Sequence, residues 1–124
     1  MGKIERFQDL ECWKAARELV KTVYELSHEG FGKKDWDTTS QFRRAGLSVM
    51  NNIAEGFGRY SDKDSVRFFD ISKSSGFEVK SMLYVLEDIN YLDTEKLSLL
   101  HRQVDKATNL TLGFIKYLKN RPQM

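Results

Sequence analysis

Any chemistry in this chain has to come from a few polar constellations. The densest is the row Arg44, Ser48, Asn52, Glu55 and Arg59, spaced by three and four so that all share one side of a helix. Guanidinium, hydroxyl, amide and carboxylate groups in that order can hold an anion, or they can hydrogen-bond between turns and across helices. The carboxylates Asp62 and Asp64, and Asp70 near Glu78, are the next candidates, because acid–base catalysis uses pairs of acids. No histidine, metal set or phosphate-cradling loop accompanies them, and Ser61, Asp62 and Asp64 are accounted for by capping a helix start. Gly56-Phe57-Gly58-Arg59 is too short for a dinucleotide fingerprint and follows no strand. Enzymatic activity, a cofactor and a small-molecule substrate are therefore not expected.

Metal and thiol chemistry are equally thin. His28 and His101 are far apart and lack partners at ligand spacing. Cys12, the only cysteine, excludes an internal disulfide and suits a reducing compartment. It falls in line with Ala16, Leu19, Val23 and Leu26, which reads as a small core hydrophobe.

The remaining chemistry is cationic. From Lys96 onward there are six basic residues, Lys96, Arg102, Lys106, Lys116, Lys119 and Arg121, against one acid, Asp105. Arg102, Lys106, Asn109, Gly113 and Lys116 share a helical stripe that could track nucleic-acid phosphates, and Lys119 and Arg43 extend the candidate set. The plainer reading is a solvated face with cations near the negative end of a helix dipole. Arg43, Arg44 and Arg59 form a second cationic group, and ion pairs of Arg44 and Arg59 with Glu55 would instead fix packing between helices or subunits.

These residues need helices to position them. The chain has 124 residues, 40% hydrophobic and 31% charged, with one proline, eight glycines and a net charge of +2, which fits one all-α domain over residues 1–124. No apolar run reaches the roughly 20 residues of a membrane span. The start lacks a signal-peptide core, and Arg6 spoils Met1-Gly2 as a myristoylation site, so a cytoplasmic location is expected.

Ile4 and Phe7 are possible anchors before a first helix over about 10–27, with Asp9 as its N-cap. Residues 29–37, with Gly30 and Gly32, read as a loop whose Trp36 folds back on a helix end. Helix two spans about 38–55 and carries the polar row on a line neighbouring the apolar face of Phe42, Gly46, Val49, Ile53 and Phe57. Gly56 and Gly58 are its stop, in the left-handed conformation that glycine tolerates. Helix three, about 62–90, has the seam Phe68, Ser72, Ser75, Val79, Met82, Leu86 and Ile89. Phe77, Tyr84 and Tyr91 lie nearly opposite, and such a second aromatic stripe suits a subunit interface or a partner. Helix four, about 94–119, starts at Asp93 and has the seam Leu97, Leu100, Val104, Ala107, Thr111, Phe114 and Leu118. Four antiparallel helices with short connections make an up-down-up-down four-helix bundle the economical fold.

Gln41-x-x-Arg44-Ala45-x-x-Ser48 followed by Asn52-Ile53-Ala54-Glu55-Gly56-Phe57-Gly58-Arg59 resembles the signature of the four-helix-bundle proteins encoded in intervening sequences of large-subunit ribosomal RNA genes. Phe7, Leu10, Trp13, Phe69, Ser75, Glu78 and Tyr91-Leu92 extend the resemblance over nearly the whole chain. It departs at Val49-Met50-Asn51, where the family often has proline, and at Phe31-Gly32, where proline is usual after the Phe. The resemblance implies a left-handed bundle, assembly as a ring that is typically a pentamer, and no known catalytic activity. It also implies a relation in fold to accessory proteins of diversity-generating retroelements, which bind nucleic acid and a reverse transcriptase. Two functions stay open: a nucleic-acid-binding oligomeric scaffold, with RNA or DNA as partner, and a purely structural or protein-binding oligomer.

Overall fold

The computed structural model describes residues 4–28 and 31–122, so Met1-Gly2, Glu29 and Gly30 lie outside the described residues. A short 3-10 turn, Phe7–Asp9, leads into α1 (Glu11–His28), followed by α2 (Phe31–Lys34), α3 (Trp36–Phe57), α4 (Asp62–Asp88) and α5 (Thr94–Asn120). The expected four-helix bundle is thereby corrected to an all-α fold of five helices. Part of the segment read as a loop is a helical turn, and α3 begins at Trp36 rather than near Thr38. Trp36 does not fold back onto a helix end; it is the first residue of α3 and largely exposed.

The extra helix has an identifiable cause. Phe31 is buried and stacks on Tyr91, with ring centroids 4.9 Å apart and planes 13° from parallel. The Tyr91 hydroxyl donates to Asp35 Oδ2 at 2.9 Å, while the two Asp35 oxygens accept from the Thr38 backbone N–H at 3.1 Å and the Thr38 hydroxyl at 2.8 Å. One carboxylate thus caps α3 and ties it to the corner after α4. Gly32 fits here because a Cβ would run into the Ser27 carbonyl.

α1 buries Cys12, Ala15, Ala16, Leu19, Val23 and Ser27, a helical stripe against α3 and α5. Asp9 does not cap it: the carboxylate lies in the 3-10 turn, 3.6 Å from Arg6. Phe7 packs edge-on against Trp13 at 5.2 Å and anchors the lead-in, whereas Ile4 stays largely exposed.

The long helices form a closed circuit: α1 packs on α3, α3 on α4, α4 on α5, and α5 on α1. Phe42, Val49, Ile53, Phe69, Val79, Leu83, Leu86, Leu100 and Val104 fill its centre. Burying each such side chain is worth roughly 1.5–3 kcal/mol before chain entropy is charged. α4 has to serve two neighbours, so its buried stripe is rotated from the expected seam toward Phe69, Gly76 and Leu83. Phe68 and Met82 are then half-buried and Ile89 is exposed. In α5 the expected seam is buried apart from a half-buried Phe114, which meets Phe69 edge-on at 5.3 Å.

Helix ends follow local chemistry. Ser61 accepts from Asp64 N–H at 3.2 Å to start α4, and Asp93 from Lys96 N–H at 2.9 Å to start α5. The glycine stop of α3 is corrected. Gly58 has an ordinary φ of −88°, and Gly56 is helical and buried, with α4 so near that a Cβ would lie 2.9 Å from Phe68 Cβ. The left-handed residue is Asn90, φ 60°, which ends α4 and turns Tyr91 inward.

Candidate functional site

The cations of α5 are placed by a helix whose other side is pinned in the core by Leu100, Val104, Ala107, Thr111 and Leu118. Arg102, Lys106, Lys116 and Lys119 are all exposed, and none has a carboxylate partner among the described residues. Arg102 donates to Ser98 Oγ at 2.9 Å, which steadies its guanidinium on the helix surface. At ~1.5 Å per residue the row is roughly 25 Å long. Asp105, the one acid among these cations, is held by Lys80 of α4 at 2.8 and 3.0 Å. That ion pair removes the charge which would otherwise oppose the row.

Lys80 Nζ also lies 3.2 Å from His101 Nδ1, and the Tyr84 ring packs 5.1 Å from the imidazole. Partial burial, then the neighbouring Lys80 charge, hold the His101 pKa below its ordinary value. Lowering the pKa favours the neutral imidazole, the form whose Nδ1 can accept from Lys80.

The other candidate residues are distributed differently. Arg43 does not join the α5 row: its Nε donates to Ser27 Oγ at 2.9 Å, and its guanidinium lies 4.6 Å from the Tyr24 ring and 5.9 Å from Trp36. The polar row of α3 divides. Ser48 and Asn52 turn toward α4, where Ser48 Oγ and Ser75 Oγ are 2.7 Å apart and Asn52 Nδ2 donates to the Ser48 carbonyl and hydroxyl at 2.9 and 3.0 Å. Ser72 adds a buried bond to the Val49 carbonyl at 2.7 Å. Arg44 and Glu55 are exposed, and no ion pair joins Arg44, Glu55 and Arg59 among the described residues. Of the aromatic stripe, Phe77 and Tyr84 point outward, at 58% and 54% exposure, while Tyr91 is engaged inside the chain with Phe31 and Asp35.

One feature escaped the sequence reading. A cavity of about 850 Å³ opens where the lead-in, the α3–α4 turn and the end of α5 converge, lined by Arg59, Tyr60, Phe69, Phe114, Tyr117 and Arg121 among others. Arg121 forms a two-point ion pair with Asp62, with Nε 2.6 Å from Oδ2, clamping the last turn of α5 to the first of α4. The guanidinium of Arg59 lies 4.1 Å from the Phe68 ring centroid and its Nε donates to the Glu55 carbonyl at 3.2 Å. The only sequence signal was the alternation of arginine and tyrosine at Arg59-Tyr60 and Tyr117 with Arg121, in segments that do not meet until the chain folds.

Among the described residues no group of three or more His, Cys, Asp or Glu side chains could hold a metal ion. No described helix is long and apolar enough to cross a membrane. Fold and surface together define a small all-α protein with one cationic helix face. The chain belongs to the 23S rRNA-intervening sequence protein family, whose profile matches residues 8–113. A solved structure from Bacteroides thetaiotaomicron, of a protein with unknown function from the S23 ribosomal protein family, superposes with a TM-score of 0.79 at 20% identity. The match covers 85% of this chain and 98% of that one, and shows the shared fold. A comparison with curated proteins returns no match.

Proposed function

We propose that this protein is a non-enzymatic, oligomeric nucleic-acid-binding scaffold of the cytoplasm, whose α5 face lies along a phosphate backbone. The observation that carries the reading is the row Arg102, Lys106, Lys116 and Lys119, exposed and without carboxylate partners among the described residues, beside an acid already paired with Lys80. Membership of a family tied by name to ribosomal RNA supports it. In an oligomer the row is repeated, and linked weak sites multiply affinity.

The test is binding to RNA and to DNA across a salt series, for wild type and for Lys106→Glu and Lys116→Glu. Each phosphate contact contributes roughly 0.7–0.9 to the slope of log K against log salt, so each reversal should lower the slope by about that amount. Absent or salt-insensitive wild-type binding removes the proposal. The second reading, a structural or protein-binding oligomer, is favoured by the outward Phe77 and Tyr84 on α4. Mass in solution for wild type and Tyr84→Asp tests assembly, including the five subunits that the resemblance implies. A wild type that is monomeric at micromolar concentration refutes it.

A further inference from the structure

The cavity at the end of the molecule combines aromatic and arginine side chains. Its volume of about 850 Å³ lies within the roughly 300–1,000 Å³ of ligand pockets. Several aromatic rings line it: Phe69 and Phe114 are the more buried, and Tyr60 and Tyr117 the more exposed. Tyr60 is fully exposed and Tyr117 is 57% exposed. A large aromatic side chain held in water in this way is a stacking surface, because every nucleobase offers a π-face.

Of the two arginines on the wall, Arg121 is committed to Asp62, and that pair cancels. Arg59 is pre-positioned by its stack on Phe68 and its bond to the Glu55 carbonyl, yet it has no carboxylate partner among the described residues. A fixed guanidinium with free terminal N–H groups fits a phosphate. Lys63 and Lys119 line a smaller adjoining pocket that shares Asp62 and Leu118 with the cavity. Glu5 is the one acid on the wall that has no ion-pair partner among the described residues.

We infer that this cavity takes an unpaired nucleotide, with the base stacked on Tyr60 or Tyr117 and the phosphate on Arg59. The inference rests on the nucleic-acid reading and adds strand selectivity to it: the α5 row holds any backbone, whereas the cavity accepts only a base free of its pair. Lys119 stands at the end of the row nearest the cavity, so one strand could run from the row into it.

Fluorescence anisotropy with a short uridine oligonucleotide, and with a blunt duplex of the same length, tests this. Of Tyr60→Ala and Tyr117→Ala, the one that removes the stacking ring should weaken single-strand binding roughly 5- to 100-fold, and neither should change duplex binding or its salt slope. Arg59→Gln should weaken single-strand binding and lower its salt slope by ~0.7. Uridine monophosphate, followed by NMR, should shift the Tyr60 and Tyr117 ring resonances equally in wild type and in an Arg102→Glu, Lys106→Glu variant, whose changes lie far along α5. If both tyrosine variants bind the single strand as wild type does while Lys106→Glu weakens it, the inference falls and the α5 reading stands. If the mononucleotide shifts those rings but Lys106→Glu and Lys116→Glu change nothing, the cavity stands and the α5 reading falls. No binding of oligonucleotide, duplex or mononucleotide overturns both.

Discussion

Gly56→Ala is the sharpest test of the α3–α4 corner, because the two helices approach there more closely than a side chain permits. A Cβ at Gly56 would lie 2.9 Å from Phe68 Cβ, 3.1 Å from Phe69 Cε1 and 3.1 Å from the Ser65 carbonyl oxygen. Phe68 Cβ and the carbonyl are fixed to the α4 backbone and cannot swing away, so the helices must part or tilt. Such overpacking costs roughly 1–3 kcal/mol. Against it stands a gain of about 0.5–1 kcal/mol from replacing glycine by alanine in a helix. Because Phe68 Cβ and the carbonyl oxygen are fixed to the backbone, the cost falls in the upper part of that range, and the net expectation is a loss of about 1–2 kcal/mol. Gly46→Ala in the same helix is the control, since its Cβ would meet Val23 Cγ2 at 3.7 Å, ordinary contact, and the propensity gain should survive. For a domain of this size 1 kcal/mol corresponds to roughly 3–5 °C in Tm. Thermal and urea unfolding should therefore show Gly56→Ala melting about 3–10 °C lower and Gly46→Ala about 2–5 °C higher, with unchanged urea m values. A Gly56→Ala protein as stable as wild type would refute the close approach of α4 to this residue.

Burial pushes the Cys12 thiol up to about 11, so at pH 8 it should resist a disulfide exchange reagent in the folded protein and react at once in denaturant. Rapid labelling under native conditions would contradict its place in the core. The Thr38 backbone N–H, then the Thr38 and Tyr91 hydroxyls, hold the Asp35 carboxyl below its ordinary pKa. A depressed folded pKa stabilises above the unfolded value, near 4, and that contribution fades as pH falls through the folded value. The stability gap between wild type and Asp35→Ala should accordingly narrow from pH 7 to pH 3, and a constant gap argues against the ionised cap. Arg43→Ala removes a hydrogen bond to Ser27 and stacking over Tyr24, and should cost about 1–2 kcal/mol in urea unfolding without changing nucleic-acid affinity. Lost affinity with unchanged stability would return Arg43 to the binding surface.

Periodicity and caps made most of the helical layout legible. Ser61 and Asp93 mark the starts of α4 and α5 by side-chain acceptors that act within three residues, which a sequence shows directly. The seam of α5 was readable for the same reason. The fifth helix was not, because Phe31 is ordered by Tyr91, a partner from the far end of α4 that no local pattern reveals. Tyr91 itself was assigned to an outward stripe by its seven-residue spacing from Tyr84, but α4 stops at Asp88 and the left-handed Asn90 redirects the chain. Gly56 was read as a stop since glycine suits helix ends; its actual role, close approach, depends on where α4 lies. The α5 cations were visible by type and spacing, while their lack of partners and the Lys80–Asp105 pair depend on a second helix. The end cavity combines segments from three parts of the chain and left almost no linear trace.

The circuit of helices also sets an order of assembly. Three of its sides join helices that follow one another along the chain, whereas the α1–α5 side closes a loop spanning almost the whole sequence. Loop-closure entropy defers that side until the others exist, and mostly short-range contacts favour fast folding. The α3–α4 hairpin, joined by a brief turn and keyed by Ser48–Ser75 and Ser72–Val49, is the natural first structure. The Arg121–Asp62 clamp, which fastens the last turn of α5, would then be among the final contacts to form and the earliest to open under denaturant. Amide exchange should find the end of α5 the least protected of the long helices and the centre of α3 the most.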